Sequence, residues 1–144
     1  MDRDRVVVDS SVVIKWFTAE PFTGQARKLL DGYQDGTLSL LAPDLLFAEI
    51  GNVVCKKQRL QGLTAADADL VINGVLLLGW EVTPCASLLT AAHQIAVAHG
   101  RSVYDAIYLA LSLRAQCPFV TADERLVHAV RPAFPGVTWI ADWQ

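Results

Sequence analysis

A chain of 144 residues is long enough to bury the core of one domain. Its hydrophobic share of 53% and mean hydropathy of +0.33 point to a membrane segment or to apolar surface committed to a partner. No run reaches the roughly 18–20 apolar residues of a spanning helix. The balance of 12 Lys plus Arg against 15 Asp plus Glu gives a net charge of −3. That counts against loose binding of a polyanion through a generally basic surface, but does not exclude a nuclease whose acidic site is neutralised by metal.

The richest apolar stretch, Leu38 to Ile50, is broken by Pro43, Asp44 and Glu49. Asp2, Asp4 and Asp9 interrupt the start that a secretory signal needs, so a cytoplasmic chain with a sticky face is expected, as a homodimer, a partner-bound protein or both. Cys55, Cys85 and Cys117 have no C-x-x-C spacing and read as small buried hydrophobes in a reducing compartment.

Arg5-Val-Val-Val-Asp9 reads as a short buried strand ended by an acid. Ser10 or Ser11 offers an N-cap to a short helix from Val12 to Phe17, and Pro21 to Gln34 carries apolar residues at helical spacing until Gly36. Leu38–Ala42 is the second strand, and Pro43 suits the first turn of a helix that ends at Gly62. Thr64-Ala-Ala-Asp67 opens a further helix to about Leu78 in the manner of a capping box. Trp80–Thr83 is a short strand, Ser87–His99 a helix stopped by Gly100, and Ser102 the cap of another. Pro118–Thr121, Asp123–Val130 and Val137–Ile140 complete the pattern as strand, helix and strand.

Strands alternating with helices, without repeat or linker, predict a single α/β domain over residues 1–144. Its expected form is a three-layer sandwich with a mainly parallel sheet of four to five strands flanked by helices. In such sheets ligands gather at the carboxyl ends of the strands, which directs attention to the acids there. Asp9 ends the first strand and Asp123 lies just past the fourth. Glu49 and Asp105 sit within apolar helical runs, where a carboxylate is costly unless paired, exposed or metal-bound. Singly, each has an ordinary reading: Asp9 as an N-cap, Asp105 as a first-turn helix acid, Asp123 as a helix start. Glu49 has no obvious partner beside it. As a set they are hard oxygen ligands of the kind that take Mg²⁺ or Mn²⁺.

Val7-Val-Asp9-Ser-Ser11 with Val12-Val-Ile-Lys-Trp16, Ala48-Glu49-Ile50-Gly-Asn-Val53, Tyr104-Asp105-Ala-Ile-Tyr-Leu-Ala-Leu111 and Thr121-Ala-Asp123-Glu-Arg-Leu126 occur in that order. Together they resemble the motifs of PIN-domain proteins, especially VapC-type toxins, from Val6 to Trp139. The resemblance implies a parallel sheet flanked by helices and a metal site built from Asp9, Glu49, Asp105 and Asp123. It also implies cleavage of RNA and restraint by a cognate antitoxin, a small VapB-like protein. Ser11 and Thr121 match small hydroxyl residues that support the site in relatives. On this reading Asp9 and Asp105 ligate Mg²⁺ directly, while Glu49 and Asp123 act through water or a second ion.

Lys15, close after Asp9, is the first candidate for gripping substrate; Arg101, Arg125 and the Lys56-Lys57-Gln-Arg59 run are others. Trp16 reads as a packing or interface aromatic rather than a base-stacking one, and His93, His99 and His128 form no catalytic pattern. The chain lacks Gly-x-Gly-x-x-Gly and a P-loop after its first strand. A receiver-like Mg²⁺-binding signalling domain is an alternative, though such domains pair acids where Asp9 stands alone. A catalytically idle binding module of the same fold is another.

Overall fold

The computed structural model describes residues 3–144. In chain order the elements are β1 (Asp4–Val8), α1 (Ser10–Val13) with a 3-10 turn (Ile14–Trp16), α2 (Thr23–Gln34), β2 (Leu38–Pro43), α3 (Leu45–Leu60) and α4 (Ala65–Leu77). β3 (Glu81–Thr83), α5 (Cys85–His99), α6 (Val103–Ala115), β4 (Phe119–Thr121), α7 (Glu124–Val130) and β5 (Val137–Trp139) follow, with a last 3-10 turn (Ile140–Asp142). All strand pairings are parallel, in the order β3-β2-β1-β4-β5.

Alternation along the central strand creates the layers. Val6 and Val8 point into one core with Ala26 and Leu29 of α2, Leu46 and Ile50 of α3, and Val71 of α4. Val7 points into the other with Leu88 of α5, Leu109 of α6 and Leu126 of α7. A strand buried on both faces can be uniformly β-branched, as Val6-Val7-Val8 is. The three-layer α/β sandwich expected from the sequence is the one observed. Among the described residues no helix is long and apolar enough to cross a membrane.

Several local expectations change. Pro43 ends β2, in register with Thr83, and α3 begins at Leu45. The bond to the Thr83 carbonyl is made by the Asp44 N–H at 3.1 Å, so no donor is asked of the proline. Asp44 also accepts the Cys85 N–H at 2.9 Å, joining the starts of α3 and α5. The helix expected from Pro21 begins at Thr23, because Phe22 adopts a left-handed conformation with φ 64°. Its ring packs edge-on against Trp139. Cys55 is exposed, and Cys85 and Cys117 are half-buried. One residue past the inward-facing Val54, Cys55 is rotated about 100° from the core.

Trp16 is buried, donates from Nε1 to the Ala26 carbonyl at 2.7 Å and stacks on Trp80. Its role in this structure is packing. Beside it, Lys15 is 8% exposed in its side chain and pairs with Glu20 at 3.4 Å, while Lys57 reaches the other oxygen of Glu20 at 2.7 Å. This triad pins the loop before α2 onto α3. Glu20→Gln leaves two enclosed ammonium groups without a counter-charge and should destabilise the fold by about 2 kcal/mol. That is below the 3–5 kcal/mol of a fully buried pair because Glu20 retains some solvent. A lowered urea midpoint at unchanged m-value checks it.

Candidate functional site

The strand order leads away from β1 in both directions, which makes the crevice between the carboxyl ends of β1 and β4 the switch point of the sheet. Val8 and Val120 are in register, so Asp9 and Thr121 emerge side by side.

Asp9 stands at the N-cap position of α1, yet its side chain does not cap the helix. Its two oxygens accept instead from Ser11 Oγ at 2.5 Å and Thr121 Oγ1 at 2.6 Å. Ser11 Oγ also accepts the Ala122 N–H at 2.9 Å and Thr121 Oγ1 the Asp123 N–H at 3.1 Å, and each hydroxyl keeps its one proton to give to Asp9. The network thus fits an ionised carboxylate that accepts on both oxygens. Burial works the other way and outweighs it: with help from the nearby Asp123 charge, it lifts the Asp9 pKa from 3.8 to about 6.

Glu49 lies in the second turn of α3, half-buried, and its Oε1 accepts from the Tyr108 hydroxyl. Burial is the largest influence raising its pKa; the Tyr108 bond opposes it, and the charges of Asp9 and Asp105 add to it. Tyr108 is buried on α6 and stacked on Phe119, and its own pKa is driven far upward by burial and by the Glu49 charge. It is therefore a permanent donor that fixes the orientation of Glu49. Sequence reading placed Tyr108 only in the apolar stripe of its helix. The available signal was its position three residues after Asp105, one turn along the same face, with a hydroxyl that burial obliges to find a partner.

Asp105 occupies the first turn of α6, where Ser102 Oγ accepts its backbone N–H at 3.1 Å, and its Oδ2 pairs with Arg101 at 3.2 Å. Asp123 caps α7 through Oδ1, which accepts the Leu126 N–H at 3.1 Å; this leaves Oδ2 for other partners. The charge of Asp123 bears on Asp9, and the charges of Asp9 and Asp105 bear on Glu49. Acids from four separate segments therefore share one neighbourhood. Lys15 is directed to Glu20, not to this cluster.

The donor set is entirely hard oxygen, and its innermost carboxylate is oriented for the ionised state in surroundings that disfavour a lone charge. Both features fit a hard divalent cation. Among the described residues, no three acidic, histidine or cysteine side chains close tightly enough to hold an ion by themselves.

Known proteins resemble the chain over most of its length. Ribonuclease VapC3 of Pyrobaculum aerophilum is 30% identical over 128 residues, covering 85% of this chain and 92% of its own. Among solved structures, PAE2754 of the same organism superposes with a TM-score of 0.68 at 22% identity, over 96% of this chain and 85% of its own. Mycobacterium tuberculosis VapC20, described as a sarcin-ricin loop cleaving toxin, superposes with a TM-score of 0.64 at 17% identity, over 86% and 94%. The family model of the PIN domain matches residues 6–132. With that match spanning nearly the whole chain, and with the sheet and helices arranged as in these structures, the protein belongs to the PIN-domain family.

Proposed function

We propose that this chain is a Mg²⁺-dependent endoribonuclease, with Mn²⁺ as a substitute, and the toxin of a toxin–antitoxin pair. The observation that carries the chemistry is Asp9, held at the switch point by two hydroxyl donors amid three further acids. In this reading Asp9 and Asp105 ligate the ion directly, and Glu49 and Asp123 complete the site. A bound cation supplies a water of lowered pKa and a counter-charge for the leaving oxygen. The chain supplies orientation. Ser11 and Thr121 fix both oxygens of Asp9, Tyr108 fixes Glu49, and the cap on α7 fixes Asp123 with one oxygen free. None of these groups requires a sugar hydroxyl, so RNA as substrate is supported by the ribonuclease relative and by the neighbour described as a sarcin-ricin loop cleaving toxin.

Exposed apolar residues support protein partners. Leu70, Leu76 and Leu77 on α4 are open to solvent beside a small groove lined by Phe47, Ile50 and Ile72, which suits the amphipathic segment of an antitoxin. Leu89 and Val97 on α5 and Leu113 on α6 are exposed as well and add apolar area suited to a homodimer.

Incubating the purified chain with structured and single-stranded RNAs tests the activity. Cleavage is expected with Mg²⁺ or Mn²⁺, is lost in EDTA and returns on adding metal. Cleavage that persists in EDTA, or its absence with every metal and RNA, would overturn the proposal.

A further inference from the structure

We propose that Arg101 is the phosphate-binding residue of the acidic site: it rests on Asp105 in the free protein and turns to a non-bridging oxygen of the phosphodiester in the complex. The identity of this ligand rests on the nuclease reading above. Four carboxylates carry more negative charge than one divalent ion offsets, so a cationic side chain at the site favours a bound phosphodiester. Among the described residues, the Arg101–Asp105 pair is the one ion pair that any of the four acids makes. Lys15, nearest in sequence to Asp9, is enclosed and directed to Glu20.

A second, independent observation lies in the guanidinium itself. Arg101 Nε is buried and has no hydrogen-bond partner, the one side-chain nitrogen or oxygen of which this holds among the described residues. An orphaned buried donor is destabilising, so the pose on Asp105 leaves the side chain's bonding incomplete. Nε and Nη2 lie along one edge of the guanidinium, the edge that grips an oxyanion at two points. Here Nη2 contacts Asp105 at 3.2 Å while Nε is unpaired. Only the side chain has to move. The backbone at the α5–α6 corner is anchored by Gly100 at φ 62° and by the Arg101 N–H donating to the Ala96 carbonyl at 3.1 Å. The Arg101 side chain is 25% exposed, so it can turn outward without disturbing the core. An ordinary surface ion pair accounts for the contact with Asp105 but not for the sealed, unpaired Nε.

Wild type, Arg101→Gln and Arg101→Lys are compared in three measurements. These are binding of a fluorescein-labelled, random-sequence single-stranded RNA by anisotropy in Ca²⁺, cleavage of the same RNA in Mn²⁺, and Mn²⁺ affinity by calorimetry. Loss of a charge-assisted bond predicts that Arg101→Gln weakens RNA binding about 10-fold or more and slows cleavage further. Arg101→Lys should recover part of the binding, because it keeps the charge but not the two-point edge. Mn²⁺ affinity of Arg101→Gln should be unchanged or tighter, since a cation beside Asp105 has gone. RNA binding equal to wild type in Arg101→Gln overturns the proposal, as does weaker Mn²⁺ binding, which would mark a structural role. Failure of wild type to bind the RNA overturns it too. If wild type binds the RNA but fails to cleave it in either Mg²⁺ or Mn²⁺, the nuclease reading falls and the binding comparison still decides Arg101.

Discussion

Asp105→Asn should abolish metal-dependent RNA cleavage, by a factor on the order of 10³, while leaving the protein folded. The loss follows from removing one charge from an electrostatic constellation whose members act together. The retained fold follows from the geometry. The backbone N–H of residue 105 is accepted by Ser102 Oγ at 3.1 Å, a bond that does not involve the side chain being changed. What is lost structurally is a partly exposed pair with Arg101 and an anion in the first turn of α6. Each is worth about 1 kcal/mol or less. Cleavage assays and thermal melts on the same preparation separate the two effects. Wild-type-like turnover in the variant would remove Asp105 from the site. A collapsed melting temperature would assign it to the fold instead.

Two regularities draw attention to Asp9 and Asp123, whereas Glu49 and Asp105 stand out as acids within apolar helical runs, and the grouping of all four comes from the family resemblance. A β-branched run that ends in Asp9 marks a central parallel strand, and strand ends at a switch point gather ligands. The sandwich itself was legible from the alternation of helical and strand patterns. What escaped depends on long-range contact. The partner of Glu49 is 59 residues away on another helix, so no local pattern reveals that Tyr108 holds it. The hydroxyls of Ser10 and Ser11 looked like helix caps, but the Asp9–Thr121 proximity, 112 residues apart, diverts Ser11 into the site. Lys15 is adjacent to the site in sequence, but the turn after α1 directs it to Glu20. Pro43 reads equally well as the last residue of a strand or the first of a helix, and its pairing with β3 decides between them.

The second large effect concerns stability. Holding Asp9 at a pKa of about 6 instead of 3.8 costs the metal-free fold at most about 3 kcal/mol at neutral pH. The sign follows from proton binding. Between these two values the folded protein holds a proton that the unfolded chain has released, so the contribution of Asp9 favours folding at low pH and declines as pH rises through 6. Above that the penalty is constant. Asp9→Asn cannot ionise and should be more stable than wild type at pH 7.5 in EDTA. The gain is expected to be about 1–2 kcal/mol, because the amide can accept only one of the two hydroxyl bonds from Ser11 and Thr121. Near pH 4 the advantage should vanish or reverse. Mg²⁺ should reverse the ranking at pH 7.5, since an ion bound to the Asp9 carboxylate stabilises only the wild type by mass action. Urea unfolding at pH 4.5, 6 and 7.5, with EDTA or Mg²⁺, measures all of this. An Asp9→Asn protein less stable than wild type in EDTA at pH 7.5 would show that the hydroxyl bonds outweigh the buried charge, and that Asp9 is a structural carboxylate. A variant equally stabilised by Mg²⁺ would place the ion elsewhere.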